Sequence, residues 1–238
     1  MDKNYVIFDM DGTMLESMKQ WRRLMQDYAE GIGLEWTEQI STDVDELSVS
    51  EAARYFVDQH AVKETPDEIL QINYERMRHY YEHDVYIKDG VLDYLNHLRD
   101  QGVRMSVATA THRDLALPVL ERLDMMQYFD ELVSVSDVGV SKNEPDIYLR
   151  CAEHWGQEPK DIAVFEDAPY ALRTAAEAGF YTVLMYDDVF ASEQLEILDL
   201  ADIAVTSMDQ LLDHEVLEEL QSETKAIGPW ALEAERKH

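Results

Sequence analysis

The stretch Tyr5-Val6-Ile7-Phe8-Asp9-Met10-Asp11-Gly12-Thr13 decides how the chain is read. An apolar run this short fits a strand in a buried parallel sheet, and it ends in two carboxylates and a Gly-Thr turn. Open α/β sheets place their chemistry at the carboxyl ends of their strands, so the strand delivers both acids to that rim. Two acids one residue apart repel in apolar surroundings unless a cation or a shared proton intervenes. The run points to a metal, a nucleophile or both, although an apolar run before Asp-Gly also fits an ordinary turn.

Three more segments bear on that choice. Val103-Arg104-Met105-Ser106-Val107-Ala108-Thr109-Ala110-Thr111 is a second buried-strand pattern, ending in hydroxyls. Thr109 and the amides that follow, such as that of Ala110, can donate hydrogen bonds to a phosphate. Thr109 and Thr111 can equally cap the helix that starts near Arg113. Ser141-Lys142-Asn143-Glu144-Pro145-Asp146 opens a helical stretch, with Lys142 near the positive end of its dipole. A cation there suits a phosphoryl group, while a lone loop lysine is by itself only a solvated charge.

Ile162-Ala163-Val164-Phe165-Glu166-Asp167-Ala168-Pro169 is another apolar strand ending in acids, with Pro169 placed for a first helical turn. That helix runs through Ala171, Leu172, Ala175, Ala176 and Ala178, and Gly179 reads as its C-cap. Glu166 and Asp167 would merely cap it if the segment stood alone. The bland alternatives fail together, because strand ends on one edge of a doubly wound parallel sheet converge. Asp9, Asp11, Thr109, Lys142, Glu166 and Asp167 are then expected around one pocket.

The order and spacing of these segments resemble the haloacid dehalogenase-like hydrolases, in the subgroup whose small helical cap follows the first motif. Asp9-Met10-Asp11-Gly12-Thr13 matches motif one, Thr109 motif two, Lys142 motif three and Glu166-Asp167 motif four. The likeness runs from Tyr5 to about Leu212. Ser141, Asn143, Ala168 and Ala171 depart from the residues common at their places, and none removes a chemical group from the pocket. The resemblance implies an α/β fold, a doubly wound parallel sheet with a Rossmann-like catalytic core (residues 1–16 and 85–238) and an inserted α-helical cap (17–84).

It also implies roles. Asp9 would attack a phosphate monoester to give an aspartyl-phosphate, and Asp11 would serve as general acid and then base. Thr109, the Ala110 amide and Lys142 would bind the phosphoryl oxygens, with Lys142 also neutralising the nucleophile. Asp9, Asp11 (through its backbone carbonyl), Glu166 and Asp167 would hold a divalent cation, for which oxygen ligands suit Mg²⁺. An acid at position 11 is implied for a leaving alcohol that needs a proton, which the dehalogenating members lack. The expected activity is a Mg²⁺-dependent phosphatase acting on a small phosphorylated metabolite, such as a sugar phosphate. A sugar phosphomutase of the β-phosphoglucomutase type is the alternative, and a binding protein without turnover a third reading.

Composition narrows the partners. The net charge of −30 over 238 residues argues against nucleic acid or an anionic membrane, both of which demand basic surface. Acidic tracts at 43–46 and 215–223 read as solvated surface. One cysteine, Cys151, excludes an internal disulfide and fits a reduced, cytoplasmic protein. No apolar stretch approaches the roughly 20 residues of a membrane span, and the first strand follows the first four residues too closely for a signal peptide. A monomer or weak homodimer is expected.

Residues 17–84 read as almost wholly helical. Trp21, Leu24, Met25, Tyr28 and Ala29 repeat at helical spacing, as do Ala52, Ala53, Phe56 and Val57, and Ile69, Ile72, Asn73 and Met77. An insertion of this size fits a cap that excludes water from the pocket. Arg22, Arg54, Lys63, Arg76, Arg78 and His79 read as surface charges, and Tyr74, Tyr80, Tyr81 and Tyr86 as packing between helices. His112 and Arg113 follow motif two closely enough to touch substrate, and solvent exposure fits them equally. Strands are expected at 103–108, 132–134, 162–165, 181–185 and 203–205, with helices at 91–98 and 115–123. Residues 222–238 are weakly patterned.

Overall fold

Three successive residues of the first strand, Val6, Ile7 and Phe8, have no exposed surface, which requires a sheet covered on both faces. The computed structural model describes residues 3–44, 47 and 49–213, so the second acidic tract, part of the first and the segment 222–238 lie outside the described residues. In chain order the elements are β1 (Tyr5–Phe8), β2 (Leu15–Glu16), α1 (Met18–Gly31), α2 (Glu38–Val44), α3 (Val49–His60), α4 (Pro66–His83) and β3 (Tyr86–Ile87). There follow α5 (Val91–Asp100), β4 (Arg104–Thr109), α6 (Arg113–Arg122), β5 (Glu131–Ser134), α7 (Val135–Val138) and α8 (Asp146–Trp155). The last are β6 (Ile162–Glu166), α9 (Pro169–Glu177), β7 (Tyr181–Met185), α10 (Ala191–Ile197) and β8 (Ile203–Val205).

Six strands pair in the order β5-β4-β1-β6-β7-β8, every pair parallel. The sheet is mostly buried and flanked by helices, as expected. From β1 the chain builds outward through β4 and β5, then returns to the other side of β1 for β6, β7 and β8. Such a reversal leaves a crevice outside the strand carboxyl ends. Register fixes what meets there. Phe8 pairs with Val107 on one side and Phe165 on the other, and the Asp9 amide donates to the Phe165 carbonyl at 2.9 Å. Asp9 and Glu166 therefore leave their strands at the same level. The Phe8 and Phe165 rings lie 4.6 Å apart below them, and burying side chains of this size contributes roughly 1.5–3 kcal/mol each.

The chain divides into two compact units, one of Met1–Ser17 with Tyr86 onwards and the other Met18–Val85. In the helical unit Phe56 is central, with the Tyr28 ring edge-on at 5.5 Å and Met25, Ala29, Ile40, Ala53 and Ile69 in the same cluster. Thr65-Pro66-Asp67-Glu68 starts α4 with a capping box, the Thr65 hydroxyl accepting from the Glu68 amide and the Glu68 carboxylate from the Thr65 amide. Tyr80 and Tyr81 pack between helices and bond Asp27 and Trp21. Tyr86 departs from that expectation: it lies on the two-stranded β2–β3 ribbon with 59% of its surface exposed. No helix among the described residues is long and apolar enough to cross a membrane.

Some element ends shift. The helix expected to start near Arg113 does begin there, whereas Gly179 sits one residue past the α9 cap at Ala178, with φ +88°. Gly90, which precedes α5, has φ +78°, and a Cβ there would lie 2.7 Å from the Asp209 amide nitrogen. Gly102 has φ +75° with nothing within 4 Å of a Cβ. Gly102→Ala is expected to lower stability by about 1 kcal/mol through backbone strain alone. Gly90→Ala adds a clash of the kind that costs about 1–3 kcal/mol more. Urea unfolding of the two variants checks this, and equal losses would contradict the close approach.

Candidate active site

The carboxyl ends of β1 and β6 carry Asp9, Glu166 and Asp167, all 5% exposed or less. Each offers an oxygen, and the three oxygens lie within 4.8 Å of one another. Lys142 reaches them from the turn before α8. It is 2% exposed, and its Nζ lies 2.5 Å from both Asp9 Oδ1 and Glu166 Oε1. The solvated-charge reading of this lysine is thereby excluded. Glu166 Oε1 also accepts the Tyr148 hydroxyl at 2.6 Å.

Three buried acids around one ammonium leave an excess of negative charge. Lys88 offsets Asp167 only by its charge, for its ammonium donates to the Gly12 carbonyl at 2.6 Å and pairs with Asp187 at 3.3 Å. Burial pushes the Asp9 carboxyl up to about 8 against the attraction of Lys142, with Glu166 and Asp11 adding to the rise. Burial, then the charges of Asp9 and Glu166, also holds Asp167 well above the usual carboxylate range. For Lys142 burial works the other way, but Asp9 and Glu166 outweigh it and keep the ammonium charged. Burial and the Glu166 charge keep the Tyr148 phenol protonated.

This donor set fits a hard divalent cation. Glu166 Oε2 and Asp167 Oδ2 are buried oxygens without a hydrogen-bond partner, and buried polar atoms are rarely left so. The oxygens that could bind it are all carboxylate oxygens, donors that suit hard divalent cations and disfavour softer metals.

Asp11 stands apart from the three. Its carboxylate is outside the cluster and is held by two hydroxyls, Ser17 Oγ on Oδ1 and Thr111 Oγ1 on Oδ2, each at 2.6 Å. The cap position of α6 is taken by His112. Thr109 is fully buried at the end of β4 and its hydroxyl accepts from the Thr111 amide at 3.0 Å, while Ala110 is exposed. His112 is exposed, and Arg113 is committed to the Leu132 carbonyl and Asp137.

Sequence reasoning missed several residues around the acids. Tyr148 sits at a core position of α8 and gave no polar signal. Gln194 is fully buried, with its Nε2 donating to the Asp167 and Met185 carbonyls at 2.7 and 2.8 Å. Thr13, visible in the Gly-Thr turn, donates to Asp167 Oδ1 at 3.2 Å. Ser17 and Thr111 carried a signal only as hydroxyls close in sequence to motifs one and two.

Comparison with known proteins bears on this geometry. The sequence profile of the family described as haloacid dehalogenase-like hydrolase matches residues 3–179. A Thermotoga maritima protein named phosphorylated carbohydrates phosphatase is 26% identical over 73% of this chain and 81% of its own. The Escherichia coli fructose-1-phosphate phosphatase YqaB is 28% identical over 75% of this chain and 94% of its own. The crystal structure of a β-phosphoglucomutase from Clostridium difficile shares the fold, with a TM-score of 0.67, 19% identity, and coverage of 93% of this chain and 98% of that one.

The acid cluster predicts a pH dependence. An unfolded aspartate loses its proton near 3.8, whereas Asp9 in the fold keeps it to about 8. Between those values the folded state binds the extra proton, so stability falls as pH rises through the window. Chelator-treated protein is expected to melt at lower temperature as pH climbs from about 5 to about 8, and Asp9→Asn to flatten that slope. Mg²⁺ must displace the same protons, so its stabilisation should grow with pH. Melting curves with chelator or with millimolar Mg²⁺ measure both, and a Mg²⁺ shift of zero at every pH would remove the metal site.

Proposed function

The chain belongs to the haloacid dehalogenase-like hydrolase family, and from that premise we propose that it is a Mg²⁺-dependent phosphatase of a small phosphorylated metabolite, a sugar phosphate above all. The observation that carries this reading is the buried Asp9 carboxylate, fixed by Lys142 at the sheet's carboxyl edge beside two further acids. The names of the carbohydrate and fructose-1-phosphate phosphatases among its relatives support the substrate class.

The proposed chemistry follows from the residues. An Asp9 oxygen attacks phosphorus in line, forming an acyl-phosphate bond as the ester P–O bond breaks. Asp11 gives its proton to the departing alkoxide, then accepts a proton from the water that attacks the same phosphorus and releases Asp9. The hydroxyls of Ser17 and Thr111 orient the Asp11 carboxyl between these transfers. Lys142 neutralises charge on the phosphoryl oxygens, and Thr109 and the Ala110 amide bind those oxygens. Asp9, Asp167, the Asp11 carbonyl and Glu166, directly or through water, would hold Mg²⁺, which when bound offsets the repulsion between carboxylates and a phosphate dianion.

In this reading the larger unit is the catalytic core and the helical unit Met18–Val85 a cap that selects the substrate. The chain acts as a monomer or weak homodimer in a reducing cytoplasm, in keeping with the lone buried thiol of Cys151. The likeness to β-phosphoglucomutase keeps phosphomutase as a second reading. A mutase needs a second phosphate site, and the segment Ser48-Val49-Ser50-Glu51 holds no arginine for one.

Phosphate release from a panel of phosphorylated metabolites, with Mg²⁺ and with chelator, tests the proposal. Metal-dependent release from a few sugar phosphates is expected. Exchange of phosphate between two positions of one sugar, without net release, would favour the mutase instead. Asp9→Asn is expected to lower kcat/KM by about 10⁴-fold or more, and Asp11→Asn by about 10²–10⁴-fold. Activity retained by Asp9→Asn would remove the nucleophile.

A further inference from the structure

We infer that Tyr148 is a positioning residue that locks Glu166 in the orientation needed for metal binding, a role nothing in the family likeness assigns to it. The inference rests on the metal-dependent reading above. Tyr148 lies on α8, fully buried in a cluster with Ile7, Ile147, Cys151 and Phe180, a setting where a phenylalanine would pack as well. Its hydroxyl nevertheless donates to a buried acceptor, Glu166 Oε1, at 2.6 Å. The same oxygen accepts Lys142 Nζ, and the Lys142 ammonium lies 5.7 Å from the centroid of the Tyr148 ring.

These contacts divide the labour between the two oxygens of Glu166. Oε1 takes both donors, while Oε2 is buried with none. The terminal torsion of a glutamate is broad and two-fold, so the carboxylate does not choose an orientation by itself. Lys142 does not choose it alone either, because an ammonium with three rotatable donors can serve Asp9 and either oxygen of Glu166. The Tyr148 hydroxyl supplies the second, fixed donor. It thereby holds Oε1 and leaves the buried Oε2 as the oxygen that can take a metal, as outer hydrogen bonds orient ligands in metal sites generally.

Tyr148→Phe keeps the ring, its packing and its contact with Lys142, and removes only the hydroxyl. Thermal melts titrated with Mg²⁺ are expected to show half-maximal stabilisation at about tenfold higher Mg²⁺ or more. Phosphate release should show the same displacement in its Mg²⁺ dependence, with kcat recovering at saturating Mg²⁺. A tyrosine that only packs would lower the metal-free melting temperature and leave the Mg²⁺ midpoint where it is, and that result would overturn the inference. The unchanged protein separates the two ideas: no Mg²⁺ shift in it defeats the metal reading itself. Should the phenylalanine variant fail to fold, a crystal structure of the unchanged protein with Mg²⁺ decides, and Glu166 turned away from the Tyr148 hydroxyl would refute the role.

Discussion

One ammonium group, Lys142 Nζ, joins the ends of the two central strands, and the rest of the site is arranged around that bond. Removing charges from water costs several kcal/mol per ion, recovered only where partners and geometry are good. Asp9 and Glu166 meet this condition because β1 and β6 pair in register and present both carboxylates at one level. The core beneath them, with Phe8 against Phe165, is what holds that register. The site is therefore an outgrowth of the sheet.

The bond leaves the centre under strain of charge. With Asp167 also buried beside them, three acids share one cation, and the metal-free fold relieves this by holding protons that free carboxylates would lose. Sites of this kind spend stability on function, a trade common to catalytic centres. Asp11, only two residues from Asp9, escapes the crowd. The turn at Gly12, with φ +82°, folds the following chain back so that Ser17 meets one Asp11 oxygen, while Thr111 holds the other. Two aspartates from one short motif thus occupy different surroundings.

Much of this was legible in advance. Buried parallel strands advertise themselves as apolar runs, and polar residues just past them stand out, so Asp9, Glu166 and Asp167 became legible once several such strand ends were read together. Lys142 was legible only in company, since a loop lysine is ambiguous until strand ends are known to converge. Tyr148 and Gln194 were not legible at all. One looks like core and the other like an ordinary helix position, because a sequence does not show which buried hydroxyl or amide has an acceptor within reach.

By itself the sequence determined the sheet, the helical insertion and the acids at the strand ends, because apolar periodicity and turn chemistry act over a few neighbouring residues. Only the tertiary structure decided how those acids are shared out. Lys142 is 133 residues from Asp9, Thr111 is 100 from Asp11, and Thr13 is 154 from Asp167. Hydrogen bonds of that reach depend on strand order and register, which place atoms to within an ångström and which no local pattern encodes.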